Sequence, residues 1–290
     1  MNRNSVWRNY LELTKPGVQA LLFVSCISGM LLASNFSPPL NVFLFGLTGV
    51  SLLAASSAVL NHIFDIKLDS LMERTSSRPI VKGHISTKQA YFFSFVLYTT
   101  GSFFLLYFTN LLTWTLTSLT FLFYAFIYTK YLKFLTSQNI VIGGLAGAMP
   151  PLLGWTAITN SVDPNALLLV LIILVWTPPH FWSLAIHRIE DYKQAGVPML
   201  PVQKGIDFTK QHILLYTILL IVSTLLPFST GMFGVIYLIC ATALGLVFLF
   251  YSINLYNDKE NTKAISTFVF SIWYLGLLFS AMLVDNFLAL

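Results

Sequence analysis

Long stretches without a charged side chain dominate the sequence. Asp, Glu, Lys and Arg are absent from residues 16–64, 89–129, 134–162, 164–187, 211–257 and 264–284. A membrane-spanning helix needs roughly 17–25 predominantly apolar residues, so these stretches hold two, two, one, one, two and one spans. We therefore predict nine transmembrane spans, at about residues 17–34, 41–61, 89–109, 111–129, 138–158, 165–186, 211–229, 233–253 and 264–284.

The predicted spans are helices rather than barrel strands. Strands of a membrane barrel alternate apolar and polar residues, whereas residues 167–175 are apolar throughout. An open sheet would also leave backbone groups without hydrogen bonds in lipid. The pattern therefore predicts an all-α polytopic membrane protein.

The composition supports this prediction and excludes two classes of protein. Of the 290 residues, 56% are hydrophobic and only 9% are charged, whereas an ordinary soluble domain has about 25% charged residues. So few charges cannot cover a water-exposed surface. An ordinary cytosolic enzyme and a nucleic-acid-binding protein are both excluded.

The charges that remain lie almost entirely on one side of the predicted membrane protein. With nine spans, all 16 Lys and Arg residues fall on the side of the N-terminus, and the opposite loops carry only Asp163 and Asp285. By the positive-inside rule the basic side is cytoplasmic, and the C-terminus lies on the outer side. Topology and anionic lipid headgroups account for the net charge of +5 without a nucleic-acid partner.

The first charged loop, after the second span, carries a stripe of oxygen ligands. Asn61, Asp65 and Asp69 are spaced four residues apart, so on a helix they line one face. Carboxylate and amide oxygens suit a hard cation such as Mg²⁺, which usually shares its ligands with substrate phosphate. Arg74 and Arg78, with Lys82 beyond them, would neutralise such a phosphate. The alternative is a solvated loop whose charges only mark the cytoplasmic side.

The second charged loop, after the sixth span, contains histidines. His180, His187 and Asp191 share a helical face by their spacing, and Pro178 and Pro179 are expected to kink the span. An intramembrane histidine is costly without a partner, which makes His180 a candidate site residue. The alternative is a histidine that only packs in the core.

Two acidic loops on one face, with basic residues between them, suit a diphosphate with an apolar tail. Its head would lie at the interface and its tail inside the bundle. The chemistry would be ionisation of an allylic diphosphate, followed by capture of the carbocation by an electron-rich acceptor.

Motifs along the chain resemble those of the UbiA-type intramembrane prenyltransferases, and the finer match is to the branch that farnesylates heme. The Asn61-x-x-x-Asp65-x-x-x-Asp69 pattern, the nine spans and the second acidic loop carry the general resemblance. The finer match rests on these segments: 13–16 (LTKP), 69–79 with MERT at 72–75 and Arg78-Pro79, 138–144 (QNIVIGG), 147–152 (GAMPPL), 154–155 (GW), 179–182 (PHFW), 191–192 (DY) and 196–202.

The resemblance implies one intramembrane prenyltransferase domain over residues 1–290, with nine helices around a central cavity that opens to the cytoplasmic side. It implies transfer of farnesyl from farnesyl diphosphate to a vinyl group of heme b, which gives a hydroxyethylfarnesyl side chain. Location in a prokaryotic cytoplasmic (inner) membrane follows, as does handover of product to a heme A synthase or to terminal oxidase assembly. An aromatic or quinone-precursor acceptor, and a cation or heme transporter, are the alternatives.

The resemblance also implies roles for residues of both charged loops. Catalysis would rest on Asn61, Asp65, Asp69 and Asp191, and a divalent cation, Mg²⁺, would be bound by the three aspartates. The broader superfamily has a further aspartate four residues before Asp191, where this chain has His187.

Further roles concern the two substrates. Arg74, Arg78 and Lys133 would bind the diphosphate, and His180 and His187 would face the heme. Imidazole is a common ligand of heme iron, so histidine in place of the superfamily's aspartate fits a metalloporphyrin acceptor. Relatives usually continue Lys133 with a basic residue, where this chain has Phe134.

Overall fold

The computed structural model describes residues 3–289, which form helices joined by short loops, apart from a longer loop at residues 72–86. These are α1 (Arg3–Leu13), α2 (Pro16–Ala33), α3 (Leu40–Phe64), α4 (Ile66–Leu71), α5 (Thr87–Phe108), α6 (Leu111–Leu122), a π-helix (Phe123–Leu132), α7 (Lys133–Leu135), α8 (Asn139–Ala148), α9 (Pro150–Thr159), α10 (Pro164–His187), α11 (Ile189–Gln194), α12 (Leu200–Lys204), α13 (Ile206–Ser229), α14 (Val235–Asn257) and α15 (Ala264–Leu288).

Nine helical segments within residues 3–289 are long and apolar enough to cross a membrane. They are α2, α3, α5, α6 through α7, α8 with α9, α10, α13, α14 and α15. No strand occurs in this part of the chain, so the prediction of an all-α protein with nine spans is confirmed. The fourth segment runs to Leu135, beyond the predicted end at residue 129.

Glycine allows α2 and α9 to pack with their backbones in contact. A Cβ on Gly29 would lie 2.0 Å from the carbonyl oxygen of Pro151, and a Cβ on Gly154 would lie 2.2 Å from that of Cys26. Only a residue without a side chain fits at these two contact points of the α2–α9 crossing. Small residues are typical of helix contacts in membranes, where lipid removes the hydrophobic drive for association.

The sixth span, α10, lies in the middle of the bundle and contacts α8, α9, α13 and α15. Its apolar side chains join those of α14 and α15 in one core that includes Trp176, Phe248 and Tyr274. A helix that is apolar all round is expected where neighbours cover most of its surface. Pro178 and Pro179 lie within α10, and the helix is continuous through both prolines.

Three other spans contain irregularities. The second span ends at Phe64, and α4 begins after Asp65. The fourth span changes from α-helix to π-helix at Phe123. The fifth span divides at Met149, directly before Pro150 and Pro151. Irregular backbone at membrane depth is tolerated where protein covers it or where it lines a cavity.

Candidate active site

The predicted stripe of Asn61, Asp65 and Asp69 lies along one unbroken series of helical backbone hydrogen bonds. The Asp65 N–H donates to the Asn61 carbonyl at 2.9 Å, and the Asp69 N–H donates to the Asp65 carbonyl at 2.7 Å. The i→i+4 bonding therefore continues across the junction of α3 and α4. All three residues are buried, with at most 4% of their surface exposed.

Each of the two buried carboxylates has a basic partner. Lys133 Nζ lies 2.8 Å from Asp65 Oδ2, and Arg78 Nη1 lies 2.5 Å from Asp69 Oδ2. Burial raises the pKa of Asp69, and the Arg78 guanidinium opposes this rise. The ion pairs are required because a buried charge without a partner is strongly destabilising.

The π-helix of the fourth span brings two residues to this stripe. Thr129 Oγ1 accepts a hydrogen bond from Asn61 Nδ2 at 3.1 Å and donates one to the Tyr124 carbonyl, five residues earlier, at 2.8 Å. Lys133 follows one turn later and reaches Asp65. Segments of π-helix are rare and occur frequently at functional sites. No pattern in the sequence indicates this π-helix.

Lys15 completes the cluster from the start of α2. Its ammonium donates to Asn61 Oδ1, and the Tyr124 hydroxyl oxygen lies 3.4 Å from Nζ. Burial, together with the charge of Arg78, lowers the pKa of Lys15 to about 8. In the sequence, Lys15 stands out only as part of the motif at residues 13–16. A lysine directly before a proline at the start of a span was the available signal.

An apolar cavity extends from this cluster into the bundle, between α2, α3, α6, α8 and α9. Lys15 and Tyr124 lie at its polar end, where Asn61 binds Lys15. The remaining wall is mostly small or apolar and includes Leu22, Val50, Ala54, Phe121, Gly147 and Leu153. The cavity therefore joins a charged head region to an apolar interior.

The second predicted loop lies at the end of α10 and in α11. Asp191 is partly buried, and its Oδ2 is buried without a hydrogen-bond partner in the part of the chain described. Burial raises the pKa of Tyr192, and the positive charge of Arg74 opposes it. Arg74 is exposed and forms no ion pair among residues 3–289. Its charge therefore acts on the second loop, although it belongs to the first.

The two histidines of this region differ in their surroundings. His180 is 8% exposed and lies against α15, where its Nδ1 is 2.6 Å from Ser271 Oγ. His187 is exposed at the end of α10. Neither forms a hydrogen bond with Asp65 or Asp69 in the described structure. The structure thus brings five predicted residues together in two neighbouring groups: Asn61 and Lys133 contact Asp65, and Arg78 contacts Asp69. Arg74, Asp191, His180 and His187 lie outside these contacts.

The cluster also bears on metal binding. Across residues 3–289, no group of three or more His, Cys, Asp or Glu side chains is close enough to hold a metal ion by itself. Mg²⁺ does not require such a group, because it is usually bound by one or two carboxylates together with substrate phosphates and waters. Asp65 and Asp69 fit that requirement, and the unpartnered oxygen of Asp191 is a further candidate ligand.

The chain belongs to the UbiA prenyltransferase family, whose model matches residues 22–275. Within this family, the chain is similar in sequence to proteins of one named group. The protoheme IX farnesyltransferase of Marinobacter nauticus is 54% identical over 97% of this chain and 93% of its own length. That of Hahella chejuensis is 52% identical over 97% and 94%.

Solved structures show the same fold at lower sequence identity. A digeranylgeranylglyceryl phosphate synthase structure matches with a TM-score of 0.82 at 24% identity and covers 98% of this chain and 99% of its own. A UbiA homolog from Archaeoglobus fulgidus, bound to GPP and Mg²⁺, matches with a TM-score of 0.67 at 15% identity, over 94% and 99%. The nine-helix fold of this chain is therefore that of the family.

Proposed function

We propose that this chain transfers the farnesyl group of farnesyl diphosphate to a vinyl group of heme b, and so forms heme O. The observation that carries the proposal is the 54% identity, over 97% of the chain, to a protein named protoheme IX farnesyltransferase. A buried cluster of carboxylates and cations beside an apolar cavity supports the prenyl diphosphate half of the reaction.

The diphosphate would be bound by Arg78 and Lys133, with Arg74 of the same first loop as a third basic group, close enough to the second loop for its charge to act on Tyr192. A guanidinium can donate two parallel hydrogen bonds to a phosphate. Both Arg78 and Lys133 already lie beside carboxylates, so a bound diphosphate would share them. Lys15 lies at the same end of the cavity and adds a fourth positive charge when protonated.

Asp65, Asp69 and Asp191 would bind Mg²⁺ together with the oxygens of the diphosphate, not as a cage of three carboxylates, and the Asn61 amide would support them. The buried carboxylates of the first loop and the unpartnered oxygen of Asp191 fit a hard cation. When bound, Mg²⁺ supplies positive charge that stabilises the leaving diphosphate. The A. fulgidus relative, described as bound to GPP and Mg²⁺, supports the same pairing of metal and diphosphate here.

The farnesyl chain would occupy the apolar cavity between α2, α3, α6, α8 and α9. The head of the substrate would then lie at the Lys15 and Tyr124 end, next to Asn61. Burial of the reacting carbon limits premature capture of the allylic cation by water. The Tyr124 and Tyr128 rings stack with centroids 5.6 Å apart near this end and can stabilise a cation through their faces.

The bond changes follow from the two substrates. The C–O bond of farnesyl diphosphate breaks, and its electron pair leaves with the diphosphate. The π electrons of the heme vinyl group form the new C–C bond, which leaves a cation beside the porphyrin. Water adds to that cation and loses a proton, which gives the hydroxyethylfarnesyl group.

The heme would be bound on the α10 side of the bundle. His180 and His187, seven residues apart on α10, are the side chains suited to a metalloporphyrin. Histidine at position 187, where the broader superfamily has an acid, favours a heme acceptor over an aromatic acid. A quinone precursor offers nothing for an imidazole to ligate.

The protein would lie in a prokaryotic cytoplasmic (inner) membrane as a multi-pass protein. The N-terminus, the two charged loops and the mouth of the cavity would face the cytoplasm, and the C-terminus would lie on the outer side. The distribution of basic residues supports this orientation. The product would pass to a heme A synthase or to assembly of a terminal oxidase.

The test uses the full chain, purified in detergent, with heme b, farnesyl diphosphate and Mg²⁺, followed by mass analysis of extracted porphyrins. We expect a farnesylated heme with the wild type and none with Asp65→Asn or Asp69→Asn. Asp207→Asn is the matched control, because Asp207 is exposed in the first turn of α13. Full product formation by both site variants would exclude the proposed role of these carboxylates.

The same assay separates the acceptor classes. Labelled farnesyl diphosphate is offered with heme b, with an aromatic acid or with a quinone precursor. We expect label only in the porphyrin fraction. Label in an aromatic product, with none in heme, would replace the heme acceptor by that compound.

A further inference from the structure

The imidazole ring of His180 contacts three aromatic rings and one serine. Its ring stacks on Trp176, with centroids 4.2 Å apart, and on Phe268, with centroids 4.6 Å apart. The Phe181 ring lies edge-on to the imidazole, with ring centroids 4.9 Å apart. Its Nδ1 lies 2.6 Å from Ser271 Oγ on α15. The faces of the imidazole are therefore covered, and one ring nitrogen has a partner.

The hydrogen bonds around Ser271 determine where the imidazole proton lies. Ser271 Oγ is 2.5 Å from the carbonyl oxygen of Phe268, which can only accept a hydrogen bond. A hydroxyl has one hydrogen, so Ser271 donates it to Phe268. Ser271 must then accept from His180, and the proton of the neutral imidazole lies on Nδ1. Nε2 consequently carries a free lone pair.

The backbone of Ser271 is fixed as well. Trp176 Nε1, one helical turn before His180 on α10, donates to the Ser271 carbonyl at 2.8 Å. Ser271 has no exposed surface, so the two hydrogen bonds from α10 hold it in place. The serine is thus a rigid acceptor for His180.

Only the Nε2 edge of His180 is left for a ligand. Within residues 3–289, no protein group forms a hydrogen bond with Nε2, and that nitrogen is not among the buried atoms without a partner. His180 as a whole keeps 8% of its surface exposed. The nitrogen with the lone pair is therefore the accessible one.

We propose that Ser271 is a positioning residue that holds His180 in the Nδ1–H tautomer, so that Nε2 offers its lone pair to the iron of the heme acceptor. This rests on the proposed function. Histidines that bind metals almost always donate their other ring N–H to an acceptor, which fixes both tautomer and orientation. Ser271 meets that requirement through a residue 91 positions away in the chain.

The experiment is a titration of the detergent-solubilised full chain with heme b, followed by absorption spectra and by resonance Raman or electron paramagnetic resonance. For the wild type we expect imidazole-ligated heme. Ser271→Ala should raise the Kd for heme about 10–100-fold and reduce the imidazole-ligated fraction, since loss of such outer partners typically costs that much. The KM for farnesyl diphosphate should not change.

Two variants separate positioning from helix packing. Ser271→Cys is close in volume, and its sulfur accepts hydrogen bonds weakly, so we expect an intermediate loss of heme affinity with α10–α15 packing retained. Ser280→Ala is the matched control, because Ser280 is exposed on α15 and donates only to the Gly276 carbonyl of its own helix. It should bind heme as the wild type does.

A double-mutant cycle decides whether Ser271 acts through His180. In a His180→Ala background, Ser271→Ala should cause no further loss of heme affinity. An equal further loss would overturn the proposal, as would a wild-type spectrum and Kd in both Ser271→Ala and Ser271→Cys. If the wild type produces farnesylated heme and these variants bind heme normally, only the role of Ser271 is refuted and the proposed function stands. A wild type that binds heme through imidazole but forms no farnesylated product refutes the proposed function instead.

Discussion

Lys133 and Asp65 form a 2.8 Å ion pair across 68 positions of the chain, between the end of the fourth span and the end of the second. The Asp65 side chain is 4% exposed and that of Lys133 is 15% exposed. The pair joins the predicted metal-binding stripe to Lys133, which directly follows the π-helix. In the proposed function, Lys133 is one of the cations that bind the diphosphate.

Replacement of Lys133 by methionine should weaken use of farnesyl diphosphate. We expect kcat/KM to fall about 10–100-fold, because a charge-assisted hydrogen bond contributes about 1.5–3 kcal/mol. Steady-state kinetics with varied farnesyl diphosphate measure the change. Lys130→Met is the control, since Lys130 is exposed and its ammonium lies over the Phe64 ring at 4.2 Å. Equal losses in both variants would show that only the net charge of the loop matters.

Removal of divalent cations should abolish farnesyl transfer but leave heme binding unchanged. With a chelator we expect no farnesyl transfer, because the diphosphate would lose the positive charge that stabilises it. Heme titration should give the same Kd as before, since His180 lies outside the carboxylate network. Product formation at the full rate after exhaustive chelation would contradict the metal role of Asp65, Asp69 and Asp191.

Narrowing the apolar cavity should change the preferred length of the prenyl chain. Ala54 lines the cavity from α3, and Ala54→Phe would fill part of the space proposed for the farnesyl tail. We expect kcat/KM for farnesyl diphosphate to fall at least tenfold relative to that for geranyl diphosphate. An unchanged ratio of the two substrates would place the tail elsewhere.

The crossing of α2 and α9 should be intolerant of even one methyl group. In Gly29→Ala the new Cβ would lie 2.0 Å from the Pro151 carbonyl oxygen, so the helices must separate. We expect a loss of about 1–3 kcal/mol of stability, measured by thermal unfolding in detergent. Gly276→Ala is the control, because a Cβ there meets nothing within 4 Å. It should be as stable as the wild type.

Asp285 should stabilise the fold without contributing to the chemistry. Its carboxylate is 5% exposed and accepts from the N–H groups of Gly234 at 2.6 Å and Tyr237 at 3.0 Å, so it caps the start of α14. Asp285→Ala should lower stability by about 1–3 kcal/mol through unsatisfied donors, measured by thermal unfolding. Asp285→Asn keeps one oxygen acceptor and should lose less.

Activity provides the second measurement for Asp285. The residue lies near the end of α15 that is remote from the charged loops, so specific activity per folded molecule should stay at the wild-type level in both variants. A fall in kcat with unchanged thermal stability would contradict a purely structural role.

Much of the fold follows from the sequence because lipid imposes a simple rule. Backbone polar groups must be satisfied within each span, so length and apolarity alone predict helices. The same rule does not predict the π-helix from Phe123 to Leu132, since its residues are as apolar as those of an ordinary span. Nor did it show that α10 stays continuous through Pro178 and Pro179 while the fifth span divides at Met149.

The sequence by itself determined the spans, their all-helical nature and the stripe of Asn61, Asp65 and Asp69, because each depends on spacing within one helix. Only the tertiary structure decided which groups from other spans meet that stripe. The contacts of Asp65 with Lys133, of Asn61 with Lys15 and of His180 with Ser271 join residues from 46 to 91 positions apart. Such contacts depend on how helices pack, and helical periodicity carries no record of a partner on another helix.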